Sequence, residues 1–348
     1  MTVKACVVGA TGYAGAELVR LLVQHPQVEL TAITSHSYVG QPLEQVYPNF
    51  AKRIPLICEE EAIEPLVEQA DVLFFALPHG HVAQKIDADL LTRTRVVDLG
   101  ADFRLQSADV YEHWYGLAHP KPELLAQAIY GLPEWCREQI KKARLIANPG
   151  CYPTCSALAI APLLQKGWID PNSIIIDAKS GVTGAGRALA LGHHFSECNE
   201  SIKAYGVASH RHTPEIEQTL GNIANMPVTL NFTPHLVPMN RGILATIYAN
   251  LTDSVTEQEV RQAYEAAYHA EPFVRLLPPG MLPETRWIKG SNYCDIAFRL
   301  DERTRRIIVV AAIDNLVKGA AGQAIQNMNL MLDLEETAGL EAIPLFPV

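Results

Sequence analysis

The sequence contains no run of apolar residues that approaches the ~20 needed for a helix to cross a bilayer. A membrane-spanning protein is therefore not expected, and neither is a membrane partner. A signal peptide is not expected either, because residues 3–9 already show an apolar strand pattern, with no basic segment leading into a long apolar run.

Clusters of basic residues are also missing. The formal net charge is -10, and the charged residues are spread along the chain rather than gathered in blocks. Since a polyanion is bound by a clustered basic surface, nucleic acid is not an expected partner. A small anionic substrate needs only a few local cations and stays compatible with this charge.

Paired cysteine patterns are the third absence. The seven cysteines are odd in number and irregularly spaced, which argues against a disulfide framework and favours reduced thiols and a cytoplasmic protein. Cys151 and Cys155 lie close together in the chain, but no second pair of Cys or His completes a zinc pattern. We therefore expect no metal. Internal repeats and low-complexity segments are absent as well.

The length of 348 residues indicates two domains. In the first of them, apolar strand patterns alternate with helical patterns. Strand patterns cover residues 3–9, 28–34, 70–77 and 95–99, and a helical pattern covers residues 15–24. This alternation predicts an α/β fold with a Rossmann-type, doubly wound parallel sheet.

The pattern changes in the second half of the chain. Residues 155–166 are predicted as an apolar helix and residues 174–177 as a strand. Further strands are predicted at 228–230, 236–238, 243–251, 294–300 and 306–312. Strands with few helices between them predict a second, α+β domain with a mixed or antiparallel sheet. A long amphipathic helix at 317–332 is expected to return to the first domain, so the predicted domains are 1–150 with 315–348, and 151–314.

A glycine-rich turn follows the first strand and opens the first helix. Its sequence, Gly9-Ala-Thr-Gly-Tyr-Ala-Gly15, allows a tight turn and a close approach of the backbone to a pyrophosphate. A glycine pattern alone is a weak signal, but the strand before it and the helix after it favour a dinucleotide site over a bare turn. The expected cofactor contacts in this turn are Gly9, Thr11, Gly12, Tyr13 and Gly15.

The end of the second strand bears on the choice of dinucleotide. A site for NAD usually has Asp or Glu there, whereas this chain has Thr34-Ser-His-Ser37. Hydroxyl and imidazole groups can bind a 2′-phosphate that a carboxylate would repel. We therefore expect NADP(H), with contacts from Ser35, His36 and Ser37. The alternative is that these side chains only cap a loop.

A candidate nucleophile stands in the segment Asn148-Pro-Gly-Cys-Tyr-Pro-Thr154, at a strand–turn–helix junction. Cys151 is predicted just before the helix N-terminus, where the dipole favours thiolate over thiol, and Pro153 suits the first helical turn. Most cysteines are small core residues. We interpret Cys6, Cys155, Cys198 and Cys294 as core residues of this kind.

Several motifs together resemble one family. They are Gly9–Gly15, Asp98-Leu-Gly-Ala-Asp-Phe-Arg104, Asn148–Thr154, Ser180-Gly-Val-Thr-Gly-Ala-Gly-Arg187, His210-Arg-His-Thr-Pro-Glu215 and Asp314-Asn-Leu-Val-Lys-Gly319. In this order they are similar to the N-acetyl-gamma-glutamyl-phosphate reductases, within the aspartate-semialdehyde dehydrogenase superfamily. The chain departs from the family at Gly100, where serine is expected.

The resemblance implies roles for individual residues. Cys151 would carry the acyl group, and Arg104 would bind the substrate phosphate, although an arginine in a strand-end loop could equally be a surface residue. The residues expected near the nicotinamide are Ser180, Gly181 and Gly184, in a glycine-rich loop, and Asn315. Further expected substrate contacts are Asn148, Glu215 and Arg241.

The acid–base residue is expected to be a histidine, since imidazole exchanges protons near neutral pH. In the aspartate-semialdehyde dehydrogenases, which the chain resembles, a later strand carries this histidine, but the comparable strand here, residues 237–244, contains none. His210 and His212 are the candidates, and His210 is favoured because in an extended segment only one of the two would point inward. The alternatives are His79 and His81, after a strand end, and His193 and His194, after the glycine-rich loop.

The function implied is NADPH-dependent reduction of N-acetyl-L-glutamyl 5-phosphate to N-acetyl-L-glutamate 5-semialdehyde and phosphate, through a thioester, as in arginine biosynthesis. Residues 1–150 and 315–348 would bind NADP(H), and residues 151–314 would carry catalysis and the contacts of a homo-oligomer, a dimer or tetramer. One alternative is the same chemistry on N-acetyl-aminoadipyl phosphate or a carrier-linked acyl phosphate. Another is a non-catalytic NADP-binding regulator.

Overall fold

A computed structural model describes residues 2–347 of the chain. These residues form two compact units. Unit 1 contains the residues up to Pro149 together with Ala320–Glu341, and unit 2 contains Gly150–Gly319 and the residues from Ala342 onward. The chain therefore leaves unit 1 just before Cys151 and returns to it just after Gly319. Within residues 2–347, no helix is long and apolar enough to cross a membrane.

Each unit is built on a sheet of seven strands. In unit 1 these are β1 (Val3–Val8), β2 (Val28–Thr34), β3 (Cys58–Glu59), β4 (Val72–Phe75), β5 (Arg95–Asp98), β6 (Ala128–Tyr130) and β7 (Leu145–Ala147). In unit 2 they are β8 (Ile174–Gly181), β9 (Lys203–Ala204), β10 (Leu230–Val237), β11 (Ile243–Asn250), β12 (Val274–Leu276), β13 (Cys294–Asp301) and β14 (Arg306–Ile313).

The helices lie between and around these strands. In chain order they are α1 (Tyr13–Leu22), α2 (Leu43–Val46), α3 (Ile63–Gln69), α4 (Val82–Lys85), α5 (Ala88–Arg93), α6 (Ala108–Tyr115), α7 (Pro133–Ile140), α8 (Cys151–Gln165), α9 (Phe195–Cys198), α10 (His212–Ala224), α11 (Glu257–Tyr268) and α12 (Gly322–Met331). Short 3₁₀ helices occur at Pro48–Phe50, Pro122–Gln127, Val182–Ala185, Leu191–His193 and Thr285–Trp287, and a π-helical turn at Val317–Ala321.

The sheet of unit 1 has the strand order β3-β2-β1-β4-β5-β7-β6, and every pairing in it is parallel. The central strands are buried on both faces, as a parallel sheet covered by helices requires. The predicted doubly wound sheet is therefore confirmed, with β2 at its predicted bounds. Because all strands run the same way, their carboxyl ends meet at one edge, where such sheets bind ligands.

The sheet of unit 2 is mixed, in the order β12-β13-β14-β11-β8-β10-β9, which confirms the predicted α+β architecture. β8 pairs parallel with β10 and antiparallel with β11, and β11 and β13 both pair antiparallel with β14. Along β8 and β11, buried residues alternate with less buried ones, so one face is turned inward. Helix α8 packs against β11 and β14 and is itself almost entirely buried.

Two strand predictions in unit 2 were wrong. Residues 228–230 and 236–238 were predicted as separate strands, but one strand, β10, runs between them. Pro234 hid this continuity, because a proline cannot donate to a ladder. It is tolerated since β10 is paired on its outer side with only two residues of β9. Strand β8 also continues past residue 177 to Gly181, so it includes part of the predicted glycine-rich loop.

The last helix departs from its predicted amphipathic character. All ten residues of α12 are buried, including Gln323, Gln326, Asn327 and Asn329. Their amides donate hydrogen bonds inside unit 1; for example, Gln323 Nε2 and Asn327 Nδ2 reach the carbonyl oxygen of Gly131 at 2.7 and 2.9 Å. Polar side chains in this helix therefore fix its position rather than face water.

Candidate active site

In unit 1, the glycine-rich turn joins β1 to α1 in the predicted manner. Gly9 has a φ of 87°, which favours glycine, and a Cβ on Gly15 would overlap the Gly9 carbonyl oxygen. A Cβ on Gly12 would make only an ordinary van der Waals contact, 3.8 Å from the Gly9 carbonyl oxygen, so the turn itself does not require glycine there. Helix α1 begins at Tyr13, and its first turn has no acidic residue. Its N-terminus can therefore receive a phosphate.

The residues after β2 differ in how accessible they are to a bound cofactor. Ser35 is buried, and its hydroxyl lies 2.7 Å from that of Thr11, so it links the strand end to the glycine turn. His36 and Ser37 are exposed. The short strand β3, which was not predicted, pairs Glu59 with Thr34 and so brings a carboxylate to the neighbouring position. No sequence pattern indicates this neighbour, because β3 has only two residues.

The segment from Asp98 to Arg104 is a buried loop at the end of β5. Burial, and then the neighbouring Asp102, raise the pKa of Asp98 to about 8. The Gly100 N–H donates to Asp98 Oδ1 at 2.7 Å, and a Cβ on residue 100 would lie 2.8 Å from that oxygen. The serine expected in this family would therefore crowd the carboxyl of Asp98.

Arg104 is mostly buried, with its guanidinium held by backbone. Its Nε donates to the carbonyl of Asn148 at 2.8 Å and its Nη2 to that of Leu99 at 2.7 Å. The side chain of Asn148 is also engaged, donating to the carbonyl of Ala320 at 3.1 Å and accepting from Asn327 at 3.0 Å. Both residues are thus fixed by hydrogen bonds within unit 1.

In unit 2, Cys151 is the first residue of α8, four residues earlier than the predicted helix start at 155. Gly150 is the N-cap in an extended conformation, and Pro153 lies in the first turn, where its missing N–H has no cost. Cys151 is partly exposed, and the first turn carries no acidic residue. The helix dipole therefore favours a thiolate at this position.

Two residues distant in sequence define the position of Cys151. Glu215 is buried, and its Oε1 accepts the N–H of Gly150 at 2.8 Å, which fixes the turn before the cysteine. Gly319 lies against Cys151, since a Cβ on it would be 2.7 Å from the Cys151 Cβ. The glycine that closes the 314–319 motif is thus needed for a close approach.

His210 and His212 both lie beside the ring of Tyr152, with ring centroids 5.7 and 5.8 Å from it. The prediction that only one of them points inward was wrong. It assumed an extended strand, but the chain turns at residues 206–209 and α10 starts at His212. Residues 237–244, predicted as one strand, are the end of β10, a turn and the start of β11.

The protonation state of His210 follows from its surroundings. Burial, and then the charge of Arg211, lower the pKa of His210 to about 4, so the ring is neutral at pH 7. The backbone N–H of His212 donates to His210 Nδ1 at 3.1 Å. Because Nδ1 accepts, the neutral ring carries its proton on Nε2.

The residues expected near the nicotinamide come together within unit 2. Ser180 and Gly181 end β8, rather than lying in a loop, and Gly184 belongs to the following 3₁₀ helix. A Cβ on Gly184 would lie 3.1 Å from Ser180 Oγ and 3.7 Å from Asn315 Nδ2. Asn315 also accepts the Gly242 N–H at 2.8 Å.

Arg241 lies in the turn between β10 and β11. Its Nη1 is 3.6 Å from Oδ2 of Asp314, whose side chain is fully buried. The same carboxylate accepts the N–H groups of Leu316 and Gly290 at 2.8 and 2.7 Å. The expected substrate contact is therefore a half-exposed arginine anchored at one end to the 314–319 motif.

The other histidines and cysteines considered from the sequence belong to other segments of the chain. His79 and His81 belong to unit 1, where the ring of His79 is 5.3 Å from that of Tyr115. His193 lies in a 3₁₀ helix and His194 directly follows it. Cys6, Cys155 and Cys294 are buried as expected, but Cys198 is partly exposed in α9, so its core interpretation was wrong. Sequence reasoning missed Tyr152 and Tyr205, which surround the histidines.

Among residues 2–347, no group of three or more His, Cys, Asp or Glu side chains is arranged to hold a metal ion.

Two family models match the chain. The model described as "Semialdehyde dehydrogenase, NAD binding domain" matches residues 4–143, and "Semialdehyde dehydrogenase, dimerisation domain" matches residues 151–315. Both models describe semialdehyde dehydrogenases, the class that the two-unit fold and the cysteine at a helix start define. The first unit accordingly carries the binding domain for a nicotinamide cofactor.

Curated relatives show which family of semialdehyde dehydrogenases the chain resembles in sequence. Proteins from Pelotomaculum thermopropionicum, Desulfotalea psychrophila and Campylobacter jejuni subsp. doylei are 54%, 55% and 53% identical to this chain. The alignments cover 100%, 99% and 98% of this chain, and 100%, 100% and 98% of the relatives. Each is named N-acetyl-gamma-glutamyl-phosphate reductase. The chain belongs to this family, as its motifs predicted.

Solved structures share the fold at low sequence identity. Aspartate semialdehyde dehydrogenase II from Vibrio cholerae, complexed with ASA, has a TM-score of 0.74 at 16% identity, covering 96% of this chain and 99% of its own. The Candida albicans enzyme with NADP has a TM-score of 0.67 at 17% identity, covering 95% and 99%. These likenesses confirm the predicted fold class.

Proposed function

We propose that this protein reduces N-acetyl-L-glutamyl 5-phosphate to N-acetyl-L-glutamate 5-semialdehyde and phosphate, with NADPH as the hydride source. The names of the full-length relatives support the substrate. The observation that carries the chemistry is Cys151 as the first residue of α8, with no acidic residue in that helical turn. An activated thiolate suits attack on an acyl phosphate, which already has a good leaving group.

The first step is acylation of Cys151. The thiolate attacks the acyl carbonyl carbon, a carbon–sulfur bond forms, and the carbon–oxygen bond to phosphate breaks with the electron pair leaving on the phosphate. Glu215 and Gly319 would act as positioning residues here, because one fixes the Gly150 backbone and the other packs on the cysteine. Arg104 is proposed to bind the phosphate, with its orientation set by the Leu99 and Asn148 carbonyls.

The second step is reduction. Bound NADPH supplies the hydride for the thioester carbonyl. His210, neutral and with its proton on Nε2, donates a hydrogen bond from Nε2 to the developing oxyanion. The oxygen then forms the carbonyl double bond as the carbon–sulfur bond breaks with its electron pair leaving on sulfur, which releases the aldehyde and regenerates the Cys151 thiolate. His212 is the second candidate for this role, and Arg241 and Asn148 are proposed to help hold the substrate.

The proposed cofactor fits the residues of unit 1. The lack of a side chain at Gly12 and the helix start at Tyr13 suit a close approach of a pyrophosphate. The exposed His36 and Ser37 would hold a 2′-phosphate, which makes NADP(H) the proposed dinucleotide. Ser180, Gly181, Gly184 and Asn315 are proposed to contact its nicotinamide end.

The assembly and compartment are also proposals. We propose a homo-oligomer, a dimer or tetramer, in the cytoplasm. The family model that matches residues 151–315 is named for dimerisation, and seven cysteines that form no disulfide within residues 2–347 suit a reducing compartment. The units would then divide the work, with the cofactor held by unit 1 and catalysis and assembly by unit 2.

The direct test combines a substrate comparison with a variant of the nucleophile. The wild-type protein, given NADP and phosphate, should oxidise N-acetyl-glutamate 5-semialdehyde faster than the homologue one methylene longer, by about 10- to 200-fold for a methylene worth ~1–3 kcal/mol. Cys151→Ser should fold and bind NADP but lose nearly all turnover, because a hydroxyl lacks a low-pKa anion.

Intact-mass spectrometry should detect an acyl adduct on the wild type and none on Cys151→Ser. Cys155→Ser is the matched control, since Cys155 lies one helical turn away and is fully buried; it should form the adduct normally. Substantial turnover by Cys151→Ser would end the thioester mechanism, and preference for the longer semialdehyde would reassign the substrate.

A further inference from the structure

Three segments that carry proposed site residues in unit 2 meet at one side chain, that of Tyr152. The segments are the first turn of α8, the end of β8 at Ser180, and the stretch from Tyr205 to His212 that leads into α10. Tyr152 directly follows Cys151 and is 2% exposed. Its position between the segments suggests a part in the reaction.

The hydroxyl of Tyr152 makes two of these connections. It lies 2.9 Å from the hydroxyl of Tyr205, and the side chain of Ser180 is its other polar neighbour. Tyr205 is in turn tied to the sheet, because its backbone N–H donates to the Pro234 carbonyl at 3.1 Å. The two hydroxyls therefore join the helix of the nucleophile to the segment that leads to the histidines.

The ring of Tyr152 makes the third connection. Rings surround His210 edge-on, with centroids at 5.7 Å for Tyr152, 5.5 Å for Tyr205, 5.2 Å for Phe232 and 4.8 Å for His212. This aromatic enclosure excludes water from most of the imidazole and leaves it few ways to tilt. Its two tyrosines are themselves held by the hydrogen bond between their hydroxyls.

We propose that Tyr152 is the positioning residue of this site, whose hydroxyl and ring hold Tyr205 and His210 in a fixed relation to Cys151. The proposal rests on the proposed function, since it assigns His210 to the reaction. Burial raises the pKa of Tyr205 to about 12 and that of Tyr152 further, so both hydroxyls stay neutral and can hydrogen-bond across the working pH range.

The test removes single hydroxyls and keeps the rings. Tyr152→Phe and Tyr205→Phe each lose the hydrogen bond between the two tyrosines. With about 1 kcal/mol for this hydrogen bond, kcat should fall about fivefold in each variant. KM should stay near the wild-type value, because neither hydroxyl is proposed to bind substrate.

A second readout needs no substrate. The His210 ring, assigned by the resonances that His210→Asn removes, is titrated by NMR in each variant. In the wild type it should titrate near 4, since burial and Arg211 lower its pKa. In Tyr152→Phe the looser enclosure admits water, so the pKa should rise toward the ordinary histidine value of about 6.5. Tyr152, Tyr205 and His212 are the other titratable groups that face this ring.

Tyr264→Phe is the matched control. Tyr264 is fully buried on α11 and donates to the carbonyl of Ala159, two helical turns along α8 from the cysteine. It should lower the melting temperature but leave both kcat and the His210 titration unchanged. The proposal is overturned if the His210 pKa stays at the wild-type value in Tyr152→Phe, or if Tyr264→Phe shifts it equally. If the wild type lacks reductase activity, the proposed function fails while the titration still reports on the enclosure.

Discussion

At the scale of single residues, the proposed chemistry depends on how the fold prepares His210. An exposed histidine is partly charged near neutral pH, whereas burial keeps this ring neutral. The His212 N–H then selects the tautomer with its proton on Nε2. The ring can therefore donate a hydrogen bond from Nε2 to an oxyanion while it stays neutral.

His210→Asn should lower kcat by about 10²–10³-fold, the usual cost of removing one hydrogen-bond donor to an oxyanion. Some acylation of Cys151 should persist, because leaving phosphate needs little help from a proton donor. His212→Asn keeps the backbone N–H that orients His210, so it should be the milder variant. Steady-state kinetics at pH 7, where the wild-type ring is neutral, distinguish them. A near-normal kcat in His210→Asn would move the role to His212 or His79.

The same ring has a consequence for stability. Its pKa in the folded protein lies below the unfolded value, so the unfolded state binds more protons as the pH falls from about 6.5 toward 4. His210 therefore makes the wild type lose stability across that window and not above it. His210→Asn should lose less stability on acidification, which thermal melts at pH 7 and pH 5 measure independently of activity.

At the scale of elements, the turn from β1 to α1 and the end of β2 set the choice of dinucleotide. Ser37→Asp places a carboxylate where the 2′-phosphate is proposed to lie, so kcat/KM for NADPH should fall by about tenfold or more, while that for NADH is maintained. Ser37→Ala is the control for loss of the hydroxyl alone. Ser35 is not a suitable position for this substitution, because its hydroxyl is hydrogen-bonded to that of Thr11 and its loss would disturb the turn.

A variant of Glu59 makes the opposite change, because it removes a carboxylate near the proposed 2′-phosphate. Glu59 pairs with Thr34 across β2 and β3, so Glu59→Gln removes a negative charge near the same phosphate and should raise kcat/KM for NADPH. Assays with NADPH and NADH in competition measure the cofactor preference of both Ser37→Asp and Glu59→Gln. A wild type that uses NADH as well as NADPH would refute the interpretation of residues 34–37.

The elements also show how far sequence patterns reach. β2, β11 and β14 were placed to within a residue, because apolar patterns report burial directly. α12 was misjudged, since its buried amides look like a solvent face until their partners in distant segments are known. The helix start at Cys151 was missed because proline and glycine beside it read as a turn.

Some residues of the site could be predicted from the sequence and others could not. Cys151 and the glycine turn were identified because local backbone geometry makes them special. The contacts of Glu215 with Gly150 and of Gly319 with Cys151 join residues far apart in the chain, so no local pattern reports them. Tyr152 was missed for a related reason: an aromatic residue in an apolar helix reads as core until its hydroxyl partners are seen.

At the scale of the whole molecule, the remaining question is what covers the exposed apolar residues of unit 2. Within residues 189–207 five large apolar side chains are exposed: Leu189 (98%), Leu191 (69%), Phe195 (77%), Ile202 (67%) and Val207 (58%). Solvent-facing apolar groups at this density usually mark an interaction surface. The segment lies within the residues matched by the dimerisation-domain model, so a second copy of the chain is the partner we expect.

Leu189→Glu/Phe195→Glu should therefore weaken self-association. Each glutamate would be buried without a partner in the interface, and two such losses should raise the dissociation constant by about 100-fold or more. Sedimentation velocity over a range of protein concentrations measures the shift toward monomer. Ile57→Glu, at a side chain 52% exposed in unit 1, is the matched control and should sediment like the wild type. An unchanged assembly in the double variant would show that the interface lies elsewhere on unit 2, and a monomeric wild type would refute the proposed oligomer itself.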